Sequence, residues 1–214
     1  MHKREEINKI LKSHKELNFD EVKNVIYGRL FISQNDFYEI KVSLAPYPLR
    51  FPFVEETGER IPQSLDRHKY YKSDICCLTT EAMGQILLKT KVKTLSAFFE
   101  LMVIPYFKNN SFYELNRCYF KDEYSHSIVG IWEGYQDILD IKSPYEILNV
   151  IKRRLNAKKI KIRDTCYCKS GIKLKKCKNG KHSINYRNFR LISLEVLQKD
   201  ANELEKVLNL KINE

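Results

Sequence analysis

The fold of the first part of this chain is decided by one stretch of sequence, Tyr38-Glu39-Ile40-Lys41-Val42-Ser43-Leu44-Ala45-Pro46-Tyr47-Pro48-Leu49-Arg50-Phe51-Pro52-Phe53-Val54. As far as Leu44, apolar residues alternate with polar ones, which is typical of a strand with one buried face. The preceding run from Val25 to Ile32 is rich in β-forming residues, and Ser33-Gln34-Asn35-Asp36 is typical of a turn. Together these runs predict a hairpin with one face in a core.

Three prolines shape the second half of the stretch. Because Pro46, Pro48 and Pro52 cannot donate backbone hydrogen bonds, we expect residues 45–53 to cross the surface as a stiffened extended segment. The residues from Val54 to Ile61 predict one further strand.

Helical patterns lie on both sides of this sheet region. Residues 1–18 predict an amphipathic opening helix, residues 94–107 a buried helix that stops near Pro105, and residues 144–155 a further helix. A last helix with one apolar stripe is predicted by apolar residues three and four apart: Leu194, Leu197, Ala201, Leu204 and Leu208. The predicted fold class is α+β.

Length and composition bound the organisation of the chain. Its 214 residues, 43% of them hydrophobic and 12% aromatic, are enough for one well-buried domain and a small module. The basic stretch from Lys152 to Arg163 predicts the boundary, so we expect one domain over residues 1–155 and a module over residues 156–214.

The compartment follows from hydropathy and cysteine content. No stretch approaches the roughly 18 to 20 uninterrupted apolar residues that span a bilayer, which predicts a cytoplasmic protein without a membrane partner. Thiols stay reduced in that compartment, so the six cysteines are expected to be nucleophile, metal ligands or core residues and not disulfides.

The stretch from Tyr38 to Val54 resembles the signature of ubiquitin-conjugating enzymes, in which an alternating strand meets Tyr-Pro and a Pro-x-Val strand start. In that family a histidine loop and a cysteine followed by Leu come next, and here Ile61-Pro62, His68 and Cys77-Leu78 supply those parts. The similarity is closest to bacterial members found beside antiphage-defence operons, including those of the CBASS type with cyclic-nucleotide synthases. The segment from Asp122 to Glu133 also looks like part of those proteins. The resemblance spans about residues 1–150 and implies an N-terminal helix, an antiparallel sheet and C-terminal helices.

The resemblance also implies an enzyme that carries an acyl group or a ubiquitin-like protein as a cysteine thioester and passes it to a lysine. A thiolate can take an acyl group from an activated carboxyl terminus and hold it for attack by an amine. Cys77 occupies the family's position before Leu and is the predicted nucleophile. Cys76 occupies the position of a residue that packs inward and is the alternative nucleophile. Core packing is the alternative for both, since free cysteine is among the most buried residue types.

Partners follow from the same resemblance. The expected donor is a protein with an activated C-terminus, either ubiquitin-like or a cyclic-nucleotide synthase. A separate activating enzyme is the second expected partner.

Two histidines complete the predicted catalytic set. His68 resembles the histidine of the family's His-Pro-Asn motif, which holds its loop by hydrogen bonding, and an exposed loop histidine is the alternative. Because Lys69-Tyr70 follows His68, the Asn credited with stabilising the oxyanion is missing. His126 is a candidate to assist the oxyanion or the attacking lysine, and a structural histidine is its alternative. The other donors left open are Asp74 or Ser73 through the backbone, Asn109 and Asn110.

The string Cys166-Tyr167-Cys168-Lys169-Ser170-Gly171-Ile172-Lys173-Leu174-Lys175-Lys176-Cys177 resembles the SEC-C zinc motif at its three cysteines, at Ser170-Gly171 and at Lys175-Lys176. Zinc takes four soft or borderline donors in a tetrahedron. The family's fourth donor directly follows the third cysteine, where this chain has Lys178. His182 is therefore the predicted substitute, and Gly180 lets the chain bend towards the site. With no open position, Zn²⁺ is expected to be structural.

The basic charge is concentrated beside this motif. Residues 151–190 hold 15 Lys and Arg against the single acid Asp164. This segment predicts docking on an acidic protein or on nucleic acid, and a solvated face of a metal knuckle is the alternative. The interleaved aromatic residues of a nucleic-acid stacking platform are lacking.

Two functions therefore compete. The first is the acyltransferase, which the retained cysteine favours. The second is a binding or adaptor protein of the same fold that recruits a partner through the zinc module, which the missing Asn favours. The sequence leaves the oligomeric state open.

Overall fold

The structure is a computed structural model that describes residues 3–64, 67–70, 72–120 and 124–210. The chain divides into two compact units. The first unit holds residues 1–79 and 87–123, and the second holds residues 80–86 and 124–214. Each unit encloses its own hydrophobic core.

The first unit is built on a four-stranded sheet. Helix α1 (Lys3–Ser13) precedes strands β1 (Leu17–Asp20), β2 (Val25–Ser33), β3 (Asp36–Ser43) and β4 (Phe53–Glu56). The strands lie in the order β1-β2-β3-β4, and every neighbouring pair is antiparallel. The predicted hairpin is confirmed, and its alternating residues are buried in the core: Tyr38, Ile40, Val42 and Leu44.

Two predictions in this region are wrong. The opening helix ends at Ser13, because Leu17 already pairs with Gly28 as the first residue of β1. Residues 45–50 of the segment predicted to be extended form turns instead. Ala45 is followed by turns in which Tyr47 N–H donates to the Leu44 carbonyl and Arg50 N–H donates to that of Pro46. Prolines prevent the backbone hydrogen bonding of a sheet, but they also fit the positions of a turn. The segment therefore forms turns instead of an extended crossing.

The helix predicted over residues 94–107 is longer than expected. Helix α2 (Glu81–Thr90) contributes to both units, and α3 (Leu95–Phe98) continues through a π-helical segment (Phe99–Val103) into α4 (Ile104–Asn116). The predicted stop at Pro105 is therefore wrong. Pro105 lies in the first turn of α4, directly after the π-helical segment, where its missing N–H is tolerated.

The second unit is helical. It contains α5 (Ser127–Leu139), α6 (Pro144–Leu155), a 3-10 turn (Cys177–Gly180), α7 (Lys181–Phe189) and α8 (Leu194–Leu210). Helix α6 has the predicted bounds, and its N-cap Ser143 accepts a hydrogen bond from Glu146 N–H. The terminal helix is also confirmed. Its stripe is buried against α5 and α6 except at Leu194, which is 49% exposed.

The mixed helix-and-sheet class is thus confirmed. Helices α5 and α6, which the sequence analysis places in the first domain, lie in the second unit. That residues 1–155 act as one functional domain stays a prediction. Within the described ranges, no helix is both long and apolar enough to cross a bilayer.

Candidate functional site

The segment that carries the predicted nucleophile is held in an extended form between β4 and the histidine loop. Cys76 N–H donates to the Val54 carbonyl at 2.7 Å, and Cys77 N–H donates to the His68 carbonyl at 2.7 Å. Successive side chains of such a segment point to opposite sides. Cys76 accordingly lies in the core at 4% exposure, whereas Cys77 is half-buried.

Burial also separates the two thiols chemically. Loss of hydration raises the pKa of the Cys76 thiol to about 12, against a usual value near 9. A thiol that stays protonated is a poor nucleophile at neutral pH. The geometry therefore favours Cys77 as the reactive member of the pair.

His68 contributes to this arrangement through its backbone. It is buried and has a left-handed backbone with φ of 51°. Its carbonyl accepts hydrogen bonds from Cys77 N–H and, at 3.0 Å, from the Tyr106 hydroxyl. Its ring meets the ring of Tyr119 edge-on at 5.2 Å. The alternative of an exposed loop histidine is therefore wrong.

Lys69 is a buried lysine beside the thiol segment that the sequence patterns do not predict. The Lys69 ammonium donates to the Ile61 carbonyl at 3.2 Å and to Asp74 Oδ1 at 3.1 Å. It also lies 3.5 Å from Glu56 Oε2, and the side chains of Lys69 and Glu56 are 2% and 0% exposed. Hydrogen bonding by Lys69 holds the pKa of Asp74 below its usual value. These contacts close the loop that runs from His68 to the thiols.

The remaining oxyanion candidates are distributed over both units. Asn110 is engaged by Arg67 Nε at 3.1 Å and donates to the Tyr106 carbonyl at 3.2 Å. Asn109 accepts from Phe120 N–H at 2.9 Å. His126 directly precedes α5 and belongs to the second unit, whereas Cys77 belongs to the first. Asp122 and Glu123, which open the other segment of the resemblance, lie outside the described residues.

An apolar groove begins next to the thiol segment. It has a volume of about 650 Å³, and Asn109 is part of its lining. Its apolar wall includes Leu78, the residue after Cys77, together with Leu101, Met102, Tyr106 and Phe112. The groove is large enough for several side chains of an extended peptide.

The second candidate site is a cluster of cysteine and histidine side chains. The donor atoms of Cys166, Cys168, Cys177 and His182 all lie within 4.8 Å of one another. The loop that holds the first two cysteines is closed by Cys166 N–H, which donates to the Ile172 carbonyl at 2.8 Å. Left-handed backbone at Lys178, Asn179 and Gly180 then returns the chain so that His182 faces the sulphurs. These four residues can bind a metal ion.

The cluster's geometry suits tetrahedral coordination. His182 Nδ1 lies 3.2 Å from Cys166 Sγ and 3.4 Å from Cys177 Sγ, and the Cys168 and Cys177 sulphurs are 3.5 Å apart. Zn–S bonds of about 2.3 Å would place neighbouring sulphurs roughly 3.8 Å apart. These separations are thus close to those of a tetrahedral zinc site.

Protonation in the cluster follows burial and local hydrogen bonds. Burial raises the pKa of Cys166 to about 12 and lowers that of His182. For Cys168, burial is outweighed by hydrogen bonds to Ser170 and neighbouring groups, so its pKa falls below the usual value. A neutral imidazole is the form that a metal requires.

The basic segment surrounds this cluster with exposed cations. Of its charges, Lys169 pairs with Glu146 at 3.6 Å, and Lys178 and Lys181 pair with Asp140. Lys173, Lys175 and Lys176 are exposed and have no carboxylate within 4.0 Å among the described residues. The ring-bearing residues of the same segment, Tyr167, Tyr186 and Phe189, are buried and do not form a stacking platform.

Comparison of the chain with protein-family models, with curated proteins and with solved structures finds no match. The two family resemblances therefore stay predictions.

Proposed function

We propose that the chain is a ubiquitin-conjugating-like acyltransferase in which Cys77 carries the acyl group. The observation that carries the proposal is the placement of Cys77. It is the less buried member of a cysteine pair, its backbone N–H is held by the His68 carbonyl, and the next residue, Leu78, lines the apolar groove. A groove of about 650 Å³ could receive the extended C-terminus of a protein donor.

The transfer consists of two substitutions at one carbonyl carbon. The Cys77 thiolate attacks the activated C-terminal carbonyl of the donor, so that a C–S bond forms and the activating group leaves with its electron pair. A lysine amine then attacks the thioester. The C–N bond forms, the C–S bond breaks with its electrons returning to sulphur, and the amine releases its proton to water.

Thioester formation is the direct test. The protein is incubated with the donor and activating enzyme encoded beside its gene and resolved on non-reducing gels. A thiol-sensitive adduct should form with wild type and Cys76→Ala and be lost in Cys77→Ala. Cys118→Ala is the matched control, because Cys118 is exposed but lies outside the thiol segment. An adduct that persists in Cys77→Ala would overturn the assignment.

The competing function is an adaptor of the same architecture without turnover. Tyr70 stands two residues after His68, at the place where the resemblance calls for Asn, and it favours this reading. In that case no adduct forms with any variant. The exposed lysines of the basic segment would then hold an acidic protein or nucleic acid, and charge reversal at Lys175 and Lys176 would abolish binding.

For the second site we propose Zn²⁺ as the bound ion. Three sulphurs and one imidazole nitrogen suit zinc, and four protein donors leave no position for a substrate, so the ion has a structural role. Elemental analysis of the purified chain should give one zinc per molecule, and Cys177→Ala should lose most of it. Retention of zinc by that variant would contradict the site.

A further inference from the structure

Asp140 lies next to the proposed metal centre, although it precedes the cysteine motif in the sequence. It follows helix α5, and its Oδ2 atom lies 3.4 Å from His182 Nε2. The His182 side chain is fully buried, and Nε2 makes no hydrogen bond of good geometry to any described residue. The other ring nitrogen, Nδ1, faces the sulphurs of Cys166 and Cys177.

A metal bound through Nδ1 leaves the imidazole proton on Nε2. A buried N–H without an acceptor is unfavourable, and a carboxylate placed against it both removes that cost and orients the ring. The carboxylate of Asp140 is in that place. A modest shortening of the 3.4 Å separation would complete a charge-assisted hydrogen bond.

Other contacts hold both partners in position. The ammonium groups of Lys178 and Lys181 lie 3.1 and 3.2 Å from Asp140 Oδ2. The ring of Tyr167 stacks on the His182 ring at 5.0 Å, and its hydroxyl donates to the Leu139 carbonyl at 2.8 Å. The end of α5 therefore contacts the imidazole in two ways. Asp140 lies at the edge of the ring, and Tyr167, which is hydrogen-bonded to Leu139, stacks on its face.

The backbone of Asp140 supports a specific role for its side chain. Asp140 caps α5 in the left-handed conformation, with φ of 56° and ψ of 42°. Glycine is the usual residue at such a cap, since side chains are strained there. The aspartate at this position brings a carboxylate close to His182 Nε2. A glycine there would leave the Nε2 hydrogen without an acceptor.

We infer that Asp140 is a positioning residue that fixes His182 as an Nδ1 ligand and thereby ties the end of helix α5 to the metal centre. The inference rests on the proposed metal site.

The test combines metal affinity with a readout of the coordinating nitrogen. Zinc affinity of the full chain is measured by competition with a chromophoric chelator for wild type, Asp140→Ala, Asp140→Asn and the control Asp137→Ala. Asp137 is exposed on the same helix and accepts a hydrogen bond from the Tyr124 hydroxyl. We expect Asp140→Ala to bind about 10- to 100-fold more weakly. Asp140→Asn, which keeps an acceptor oxygen, should be less affected, and the control should stay within about twofold.

Long-range nitrogen–proton spectra of the zinc-loaded wild type report the ligand atom directly. Metal on Nδ1 with a protonated Nε2 is expected, and metal on Nε2 overturns the inference even if Asp140→Ala fails to fold. Wild-type affinity in a folded Asp140→Ala protein also overturns it, while leaving the metal site intact. Absence of zinc from wild type, or full affinity in His182→Ala, overturns the metal site and this inference with it.

Discussion

Cys76 and Cys77 are neighbours in the chain but differ in burial, since an extended backbone sends their side chains to opposite sides. We expect iodoacetamide to alkylate Cys77 and the exposed Cys118 in the native, zinc-loaded protein. Cys76 should react at least about tenfold more slowly, because its thiol is buried and its pKa is raised to about 12. Peptide mapping by mass spectrometry at successive times measures each rate.

Unfolded protein is the control for this alkylation. In concentrated guanidinium both thiols of the pair should react at similar rates. Equal rates at Cys76 and Cys77 in the native protein would contradict the assignment of Cys77 as the accessible thiol.

Asp200 is a buried carboxyl in the second unit, and it predicts a dependence of stability on pH. Burial raises its pKa to about 6 from a usual value of 3.8, although the Tyr135 hydroxyl donates to it at 2.9 Å. Since the folded-state pKa lies above the unfolded one, the folded chain holds the extra proton between these values. The free energy of unfolding should therefore fall as the pH rises from about 4 to 6, by on the order of 2 kcal/mol from this group.

Asp200→Asn removes this contribution while keeping an acceptor for Tyr135. Urea unfolding of wild type and variant at pH 4, 5, 6 and 7 isolates it, because other titrating groups cancel in the difference. The difference in the free energy of unfolding between the two proteins should change with pH. Parallel curves for wild type and Asp200→Asn would contradict the prediction.

Two hydroxyl groups at the start of α3 differ in their hydrogen bonding and can be compared by mutation. Thr94 is the N-cap, and its side chain accepts from Ala97 N–H at 3.0 Å. Ser96 lies two residues further on, and its buried hydroxyl has no hydrogen-bond partner among the described residues. Thr94→Ala should lower the free energy of unfolding by about 1 kcal/mol. Ser96→Ala should leave it unchanged or raise it slightly, because removing an unsatisfied hydroxyl costs nothing. Chemical denaturation measures both, and equal losses would contradict the capping role.

Elements with a clean period could be predicted from the sequence. The alternation from Tyr38 to Leu44 and the helix over residues 144–155 are found as expected, since each presents one regular apolar face. The sequence patterns do not predict helix α5, in which Gly130 and Gly134 lower the helix propensity. The structure explains Gly130, where a Cβ atom would lie 1.8 Å from the Ser125 carbonyl oxygen. Such a close approach depends on tertiary packing, which periodicity does not report.

Some residues of the candidate sites could likewise be predicted from the sequence, and others could not. The spacing of Cys166, Cys168 and Cys177 predicted a cluster, and the fourth member at His182 followed from the same local reasoning. Lys69 and Asp140 could not be found from the sequence. A lysine in a loop and an aspartate at a helix end are ordinarily solvated, and only the fold buries Lys69 and places Asp140 against the imidazole.

The two hydrophobic cores do not divide the chain at the boundary that its charge pattern predicts. The basic stretch after α6 marks a change in composition, yet the apolar faces of α5 and α6 belong to one core with α7 and α8. That core includes Ile138, Leu139, Ile147 and Ile151 together with Leu197. Among the described residues, the buried core of the first unit lies within residues 7–107 and includes residues of its sheet and of α1, α3 and α4.

A fragment of residues 1–155 should therefore be less well folded than the shorter fragment 1–123. In the longer fragment α5 and α6 lose the partners of their buried side chains, whereas the shorter one omits these helices and keeps every core residue of the first unit. Binding of a hydrophobic dye and limited proteolysis, with the full chain as reference, compare the two. We expect strong dye binding and rapid cleavage within residues 127–155 of the longer fragment, because its apolar surface is exposed to water. Cooperative unfolding of fragment 1–155, with no more dye bound than fragment 1–123, would instead support one domain over residues 1–155.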